Sequence, residues 1–110
     1  MADYGFGIKD LRQAIENGAV EWQRHVLERM VERGIRRADV LSALTTGERI
    51  EDYPQDTPFP SALFLGRSGN RPLHVVVAYS ADARVAYIIT VYDPDLDHFE
   101  SDLRTRRKQS

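Results

Sequence analysis

The sequence predicts an α+β domain: two or three N-terminal helices packed on a small antiparallel sheet of three to four strands. Three observations carry this. Apolar residues recur at helical spacing through the first half of the chain and alternate at strand spacing through the second. Gly34 and Gly47 stand just past two of the helical stretches, where a helix stops. The four residues SADA (80–83) separate two β-branched, aromatic runs, which is the pattern of a hairpin.

Taken in order, IKDLRQAIEN (8–17) puts Ile8, Leu11, Ala14 and Ile15 on one face, and Asn17-Gly18 stops that helix. EWQRHVLERMVER (21–33) is the strongest helix. Trp22, Val26 and Met30 recur at i, i+4 and i+8, and Leu27 and Val31 widen the apolar face. Gly34 fits the left-handed C-cap. RADVLSALTT (37–46) presents Val40, Leu41 and Leu44, and forms an αα-hairpin with its predecessor. ERIEDY (48–53) opens the strands and Pro54 closes that one. QDTPFP (55–60) is a loop, because proline cannot donate to a ladder. SALFLGR (61–67), LHVVVAY (73–79) and RVAYIITVY (84–92) are strands by composition. A symmetric hairpin at 80–83 places His74, Val76 and Ala78 on one face with Val85, Tyr87, Ile89 and Val91. The last segment starts acidic and ends basic, with room for a short helix at about 97–104. The predicted organisation is an N-terminal extension with a short helix (1–19), one α+β domain (20–103) and a basic tail (104–110).

A length of 110 residues is one domain's worth of chain. With 42% hydrophobic and 29% charged residues it can bury a core and remain soluble. The absence of cysteine excludes disulfides, thiolate metal sites and a cysteine nucleophile. There is no apolar run of about 18 residues, so no membrane span is expected. The opening MADYGFGIKDLRQ lacks the apolar core of a signal peptide, and a cytoplasmic protein is the default. The 15 basic residues are 13 Arg and 2 Lys. Arginine's planar fork of donors suits phosphate and carboxylate, although GC-rich codon usage produces the same bias. A net charge of −2 argues against indiscriminate coating of nucleic acid, so any anion site must be local. Residues 21–37 hold five Arg against three Glu, while residues 93–102 hold five acids and no Lys or Arg.

His25, Arg29 and Arg33 are spaced i, i+4 and i+8, so they form one stripe beside Trp22 and Val26 at the border of the apolar face. An imidazole beside two fixed positive charges suits phosphate chemistry: the imidazole moves a proton and the guanidiniums stabilise a phosphorane-like state. The plain alternative is a solvated face with the pairs Glu21–Arg24, Arg24–Glu28 and Glu32–Arg36. His74 is either a half-buried histidine bonded to backbone or a second acid/base group opposite the stripe. Tyr92 either adds a phenol to that edge or packs. Asp52 and Asp56 flank Pro54 and read as turn residues more readily than as a divalent-cation site. Asp93, Asp95 and Asp97 lack the Gly and terminal Glu of a calcium loop, and His98 after them is expected to be exposed. In RTRRK (104–108), Arg104, Arg106 and Arg107 either grip phosphates or belong to a disordered end. No phosphate-binding glycine loop, dinucleotide motif, Ser-His-Asp pattern or zinc spacing is present, so neither cofactor nor metal is expected.

The segments WQRHVLERMVERGI (22–35), DVLSAL (39–44), GERIEDYPQDTPFPSALFLG (47–66), RPLHVVVAY (71–79) and IITVYDPD (88–95) resemble the bacterial "domain of unknown function 4258" family over about residues 20–107. The H-x-x-x-R-M-x-E-R-G-I and G-E-x-I-E-x-Y-P blocks are specific in combination. One departure is Arg36, where relatives often carry Ser or Thr before the helix. The family is in turn similar to the RelE/ParE-like toxins, which pack two helices on a small antiparallel sheet. Its members are often encoded beside a small zinc-finger protein that looks like an antitoxin. The resemblance therefore implies a toxin of a toxin–antitoxin system and a metal-independent endoribonuclease cleaving mRNA. The partners it implies are RNA, free or on the ribosome, and a cognate antitoxin. Carried onto matching positions it points to His25 and Arg29, with His74 and Tyr92 as further candidates. In that reading His25 and His74 supply base and acid, and Arg33 or the tail arginines add positive charge. The competing function is a non-enzymatic protein-binding module or degenerate toxin, its Arg stripe recognising an acidic surface. No oligomeric state is indicated.

Overall fold

The computed structural model describes residues 5–108. In chain order the elements are α1 (Ile8–Glu16), β1 (Val20–Trp22), α2 (Arg24–Arg33), α3 (Arg37–Thr46), β2 (Glu48–Tyr53), β3 (Ser61–Ser68), β4 (Arg71–Ser80) and β5 (Val85–Tyr92). The strands form one sheet in the order β1-β5-β4-β3-β2. The fold is thus α+β, but the sheet has five strands and is mixed, where three to four antiparallel strands are expected. The additional strand is β1, which runs parallel to β5 with Val20 opposite Ala86 and Trp22 opposite Ile88. Three residues are too few to show a period of their own. The spacing from Trp22 to Val26 merges them with the helix that follows. The backbone separates them: Gln23 is extended (φ −74, ψ 148) and α2 starts only after it.

Helix ends follow local chemistry. Gly34 adopts the left-handed conformation (φ 67, ψ 35), and the Ile35 N–H reaches back to the Met30 carbonyl at 2.8 Å. At the start of α3, Arg36 brings no hydroxyl. The Asp39 carboxylate instead reaches back to accept the Arg36 backbone N–H at 2.8 Å. That carboxylate also accepts from the Arg36 guanidinium and from the Ser68 hydroxyl, which ties α3 to β3.

One core lies between the helices and one sheet face. Leu11 and Ala14 of α1, Val26 and Met30 of α2, and Val40, Ala43 and Leu44 of α3 pack there. They meet Phe64, Leu73, Val75, Val77, Ile88 and Val91 of the sheet. Val31 does not join this face as its spacing suggests. It is 81% exposed, because it lies one residue past the Met30 contact and points outward. The β4–β5 ladder shifts register so that Val77 faces Ile88 but Val76 faces Thr90, leaving Ile89 as the extra residue of a bulge. The bulge overturns the symmetric alternation. Val91 turns into the helix-side core, and Tyr92 takes the place opposite His74.

The far sheet face is covered at one end by residues 93–108, with Phe99 as the buried anchor. The short helix expected at 97–104 does not form. Asp95 accepts the His98 N–H, and Asp102 accepts the N–H groups of Arg104 and Thr105. Such local side-chain bonds compete with helical ones and hold turns instead. Residues 109–110 of the expected basic tail, and residues 1–4 of the expected extension, lie outside the described residues. No helix among the described residues is long and apolar enough to cross a membrane.

Candidate phosphate-binding groove

The groove arises where α2 meets the end of β5. Burial of Val26 and Met30 fixes the rotation of α2, and this leaves His25, Arg29 and Arg33 as an exposed stripe. β1 pairs only with the first half of β5, up to Ile88. Beyond it, residues 89–92 of β5 run alongside α2, and among the described residues no strand pairs with that edge. Together His25, Val26, Arg29 and Arg33 and residues 89–92 line a groove of about 370 Å³.

Two devices hold the C-terminal end of the stripe. The Arg33 guanidinium donates to the Val91 carbonyl at 2.8 Å, which pins α2 to the strand edge. Arg71 of β4 donates to the carbonyls of Arg33 (2.8 Å) and Gly34 (3.2 Å) and also pairs with Asp93. It satisfies carbonyls that a helix end leaves open. Arg71 is a positioning residue that the sequence does not flag, since nothing in a strand residue following a turn reports contact with a helix about 38 residues earlier. Among the described residues, His25 and Arg29 have no hydrogen-bond or ion-pair partner in the chain. Of the expected intrahelical pairs, Arg24–Glu28 forms at 3.2 Å.

His74 lies elsewhere. It is fully buried on the far sheet face, beneath residues 93–108. Its Nε2 donates to the Leu103 carbonyl at 2.7 Å, which leaves Nδ1 as a buried acceptor without a partner among the described residues. The Tyr92 and Phe99 rings meet it edge-on, at 5.2 and 4.5 Å. Burial lowers its pKa below the ordinary 6.5, so the ring is neutral near pH 7. Burial raises that of Tyr92. The sheet therefore stands between His74 and the α2 stripe. Tyr92 belongs to the stretch that lines the groove, while its ring packs on His74.

The tail arginines are also placed apart from the stripe. Arg104 pairs with Glu48, and Arg106 makes a two-pronged pair with Glu51 at 2.9 Å while lying over the Phe99 ring. Both acids are on β2, at the opposite edge of the sheet from the groove. Arg107 donates to the Leu96 carbonyl and to Glu100. Asp52 pairs with Arg49, and Asp56 accepts from Ser61. No three His, Asp or Glu side chains converge to hold a metal among the described residues.

A family model described as "Domain of unknown function (DUF4258)" matches residues 22–93. The chain belongs to the DUF4258 family. The matched span contains α2 and β5, hence the whole groove, and ends where the segment over the far face begins. No curated protein and no solved structure matches the chain. Within this DUF4258 domain the groove sets cationic and titratable side chains open to solvent beside a stretch of β5 that no described strand pairs with.

Proposed function

We propose that this DUF4258 protein is the toxin of a bacterial toxin–antitoxin system and cleaves mRNA in the α2–β5 groove without a metal ion. The observation that carries the reading is the solvent-open His25 and Arg29, one helical turn apart and without partners among the described residues, beside the anchored Arg33. The packing of helices on one face of a small sheet supports the resemblance to RelE/ParE-like toxins. RNA brings its own nucleophile. His25 takes the proton of the 2′-OH as that oxygen attacks the adjacent phosphorus. The Arg29 guanidinium faces the phosphorane oxygens, where charge develops. The bond to the 5′-oxygen breaks, that oxygen takes a proton from water, and a 2′,3′-cyclic phosphate remains. His74 has no part in this scheme, because it is buried on the other side of the sheet. A positioned acid/base is worth about 10²–10⁴-fold.

Growth on induced expression tests the reading. Wild type arrests growth, His25→Ala and Arg29→Ala relieve the arrest, and co-expression of a zinc-finger antitoxin that covers the groove restores growth. Equal arrest by all three proteins removes the groove from the mechanism. A second reading draws on one observation: His25 has no hydrogen-bond partner to orient its ring among the described residues. On that reading the stripe is a non-enzymatic site for an acidic protein surface. It predicts no growth arrest and a partner whose binding weakens with salt.

A further inference from the structure

The far sheet face carries a second concavity of about 290 Å³, at the end that residues 93–108 leave open. Val76, Ala78 and Ile89 form its apolar surface. The Phe59 and Tyr87 rings are stacked beside it, 5.1 Å apart with planes 10° from parallel. Gln23, Asp56, Thr57 and Ser61 are its polar residues, and Asp56 is the charged one. Asp56 accepts the Ser61 hydroxyl through one oxygen and pairs with no cation among the described residues. It is a lone carboxylate beside two aromatic rings.

Its position links it to the basic groove. Ile89, the bulge residue, lines both cavities. Gln23 lines one and His25, two residues on, lines the other. The two form one path around the edge of β5 just past the end of β1, cationic on the helix side and aromatic on the far side. A single-stranded polynucleotide has the matching layout, with charged phosphates and flat apolar bases one sugar apart.

We infer that the far-face concavity holds one nucleobase of the RNA strand whose phosphate lies on Arg29, and that Asp56 makes this base a guanine. The inference rests on the RNA reading above. A base with an exposed face stacks against Tyr87, which requires an unpaired strand. A carboxylate only accepts, so it selects a base edge with adjacent N–H donors. Guanine offers N1–H and the 2-amino group side by side. Adenine and cytosine place a ring acceptor next to the amino group, and uracil offers one N–H between two carbonyls.

The test is binding of fluorescent 2′-O-methyl oligomers, which the scheme above cannot cleave. Three are compared: UUGUUU, UUUUUU, and the same chain with an abasic sugar at the third position. UUGUUU binds roughly tenfold tighter than UUUUUU, since a two-pronged pair discriminates on that scale. Asp56→Asn keeps an acceptor for Ser61, erases the guanine preference and leaves UUUUUU unchanged. Tyr87→Ala weakens the base-bearing oligomers roughly tenfold and leaves the abasic one unchanged. Tyr87→Leu, which retains apolar bulk, gives the same pattern. If all three oligomers bind equally and all require Arg29, the base site is wrong while the phosphate site stands. A guanine preference that survives Asp56→Asn overturns the role of Asp56. If no oligomer binds, or Arg29→Ala is without effect, the RNA reading falls and the base site with it.

Discussion

Asp39 shows how much one side chain can carry at the scale of the residue. It is buried, and bonds from the Arg36 guanidinium first, then Ser68 and the Arg36 backbone, hold its carboxyl well below the usual carboxylate range. Asp39→Ala removes the cap of α3 and strands the Ser68 hydroxyl. It should cost about 1–2 kcal/mol in urea unfolding. His74 acts in the opposite direction. Burial lowers its folded pKa below the unfolded 6.5, so the unfolded chain takes up the proton first as pH falls. Stability is then full above about pH 6.5 and declines as pH drops toward the folded value. The Leu103 carbonyl, Glu51 and Asp95 temper the effect without reversing it, and the Arg106 charge adds to it. Denaturant midpoints at about pH 7.5 and about pH 5.5 should differ for wild type, and His74→Phe should reduce that difference. The carboxylates held low affect stability only near and below their ordinary values, 3.8 for Asp39, Asp95 and Asp102 and 4.5 for Glu51. An unchanged pH response in His74→Phe would mean the ring is not protonated preferentially on unfolding.

At the scale of the element, α2 decides where the groove is, because its buried face sets its exposed one. Met30 is 2% exposed, and Met30→Ala should cost about 2–5 kcal/mol. A loss below about half a kcal/mol would mean the helix is rotated away from the position described. α3 lies so close to β3 that a Cβ on Gly66 would sit 2.4 Å from the Ala43 Cα. Gly66→Ala should therefore destabilise by about 1–3 kcal/mol through forced separation of helix and strand. These elements were legible from spacing: Val26 and Met30 recur at a helical period, and Gly34 marks the stop. β1 was not, because three residues fixed by pairing with a strand 60-odd positions later carry no local signal. The bulge at Ile89 was equally hidden. VAYIITVY is uniform in composition, so only the ladder reveals where its alternation slips.

At the scale of the molecule, the arginine bias separates into two populations. Most of the fork-like donors hold the fold together. Arg12 closes the end of α3 on the Leu44 and Gly47 carbonyls, Arg49 reaches the Phe6 carbonyl, and Arg71 braces α2. Arg104 and Arg106 bind the C-terminal segment to β2 through Glu48 and Glu51. Raising the salt concentration should loosen that segment, and hydrogen exchange at residues 99–106 should show it, because such partly exposed pairs are screened. The stripe of His25, Arg29 and Arg33 was legible as a stripe, since i, i+4 spacing is a local fact. Which histidine shares a site with it was not. His74 sits in a strand whose two faces look alike in sequence, and only the sheet's position between helices and C-terminal segment separates it from His25. The pairing of the tail arginines was illegible for a similar reason: a dense basic run carries no sign of the distant acids that pair with it.

The measurement that bears most directly on the central claim is cleavage of RNA by the purified protein in EDTA. Wild type should cut and leave 2′,3′-cyclic phosphate ends. His25→Ala and Arg29→Ala should each lose about 10²-fold or more in rate while remaining folded, and His74→Phe should retain the activity. No cleavage by wild type, cleavage abolished by EDTA, or equal cleavage by the His25 and Arg29 variants would contradict a metal-independent site in the α2–β5 groove.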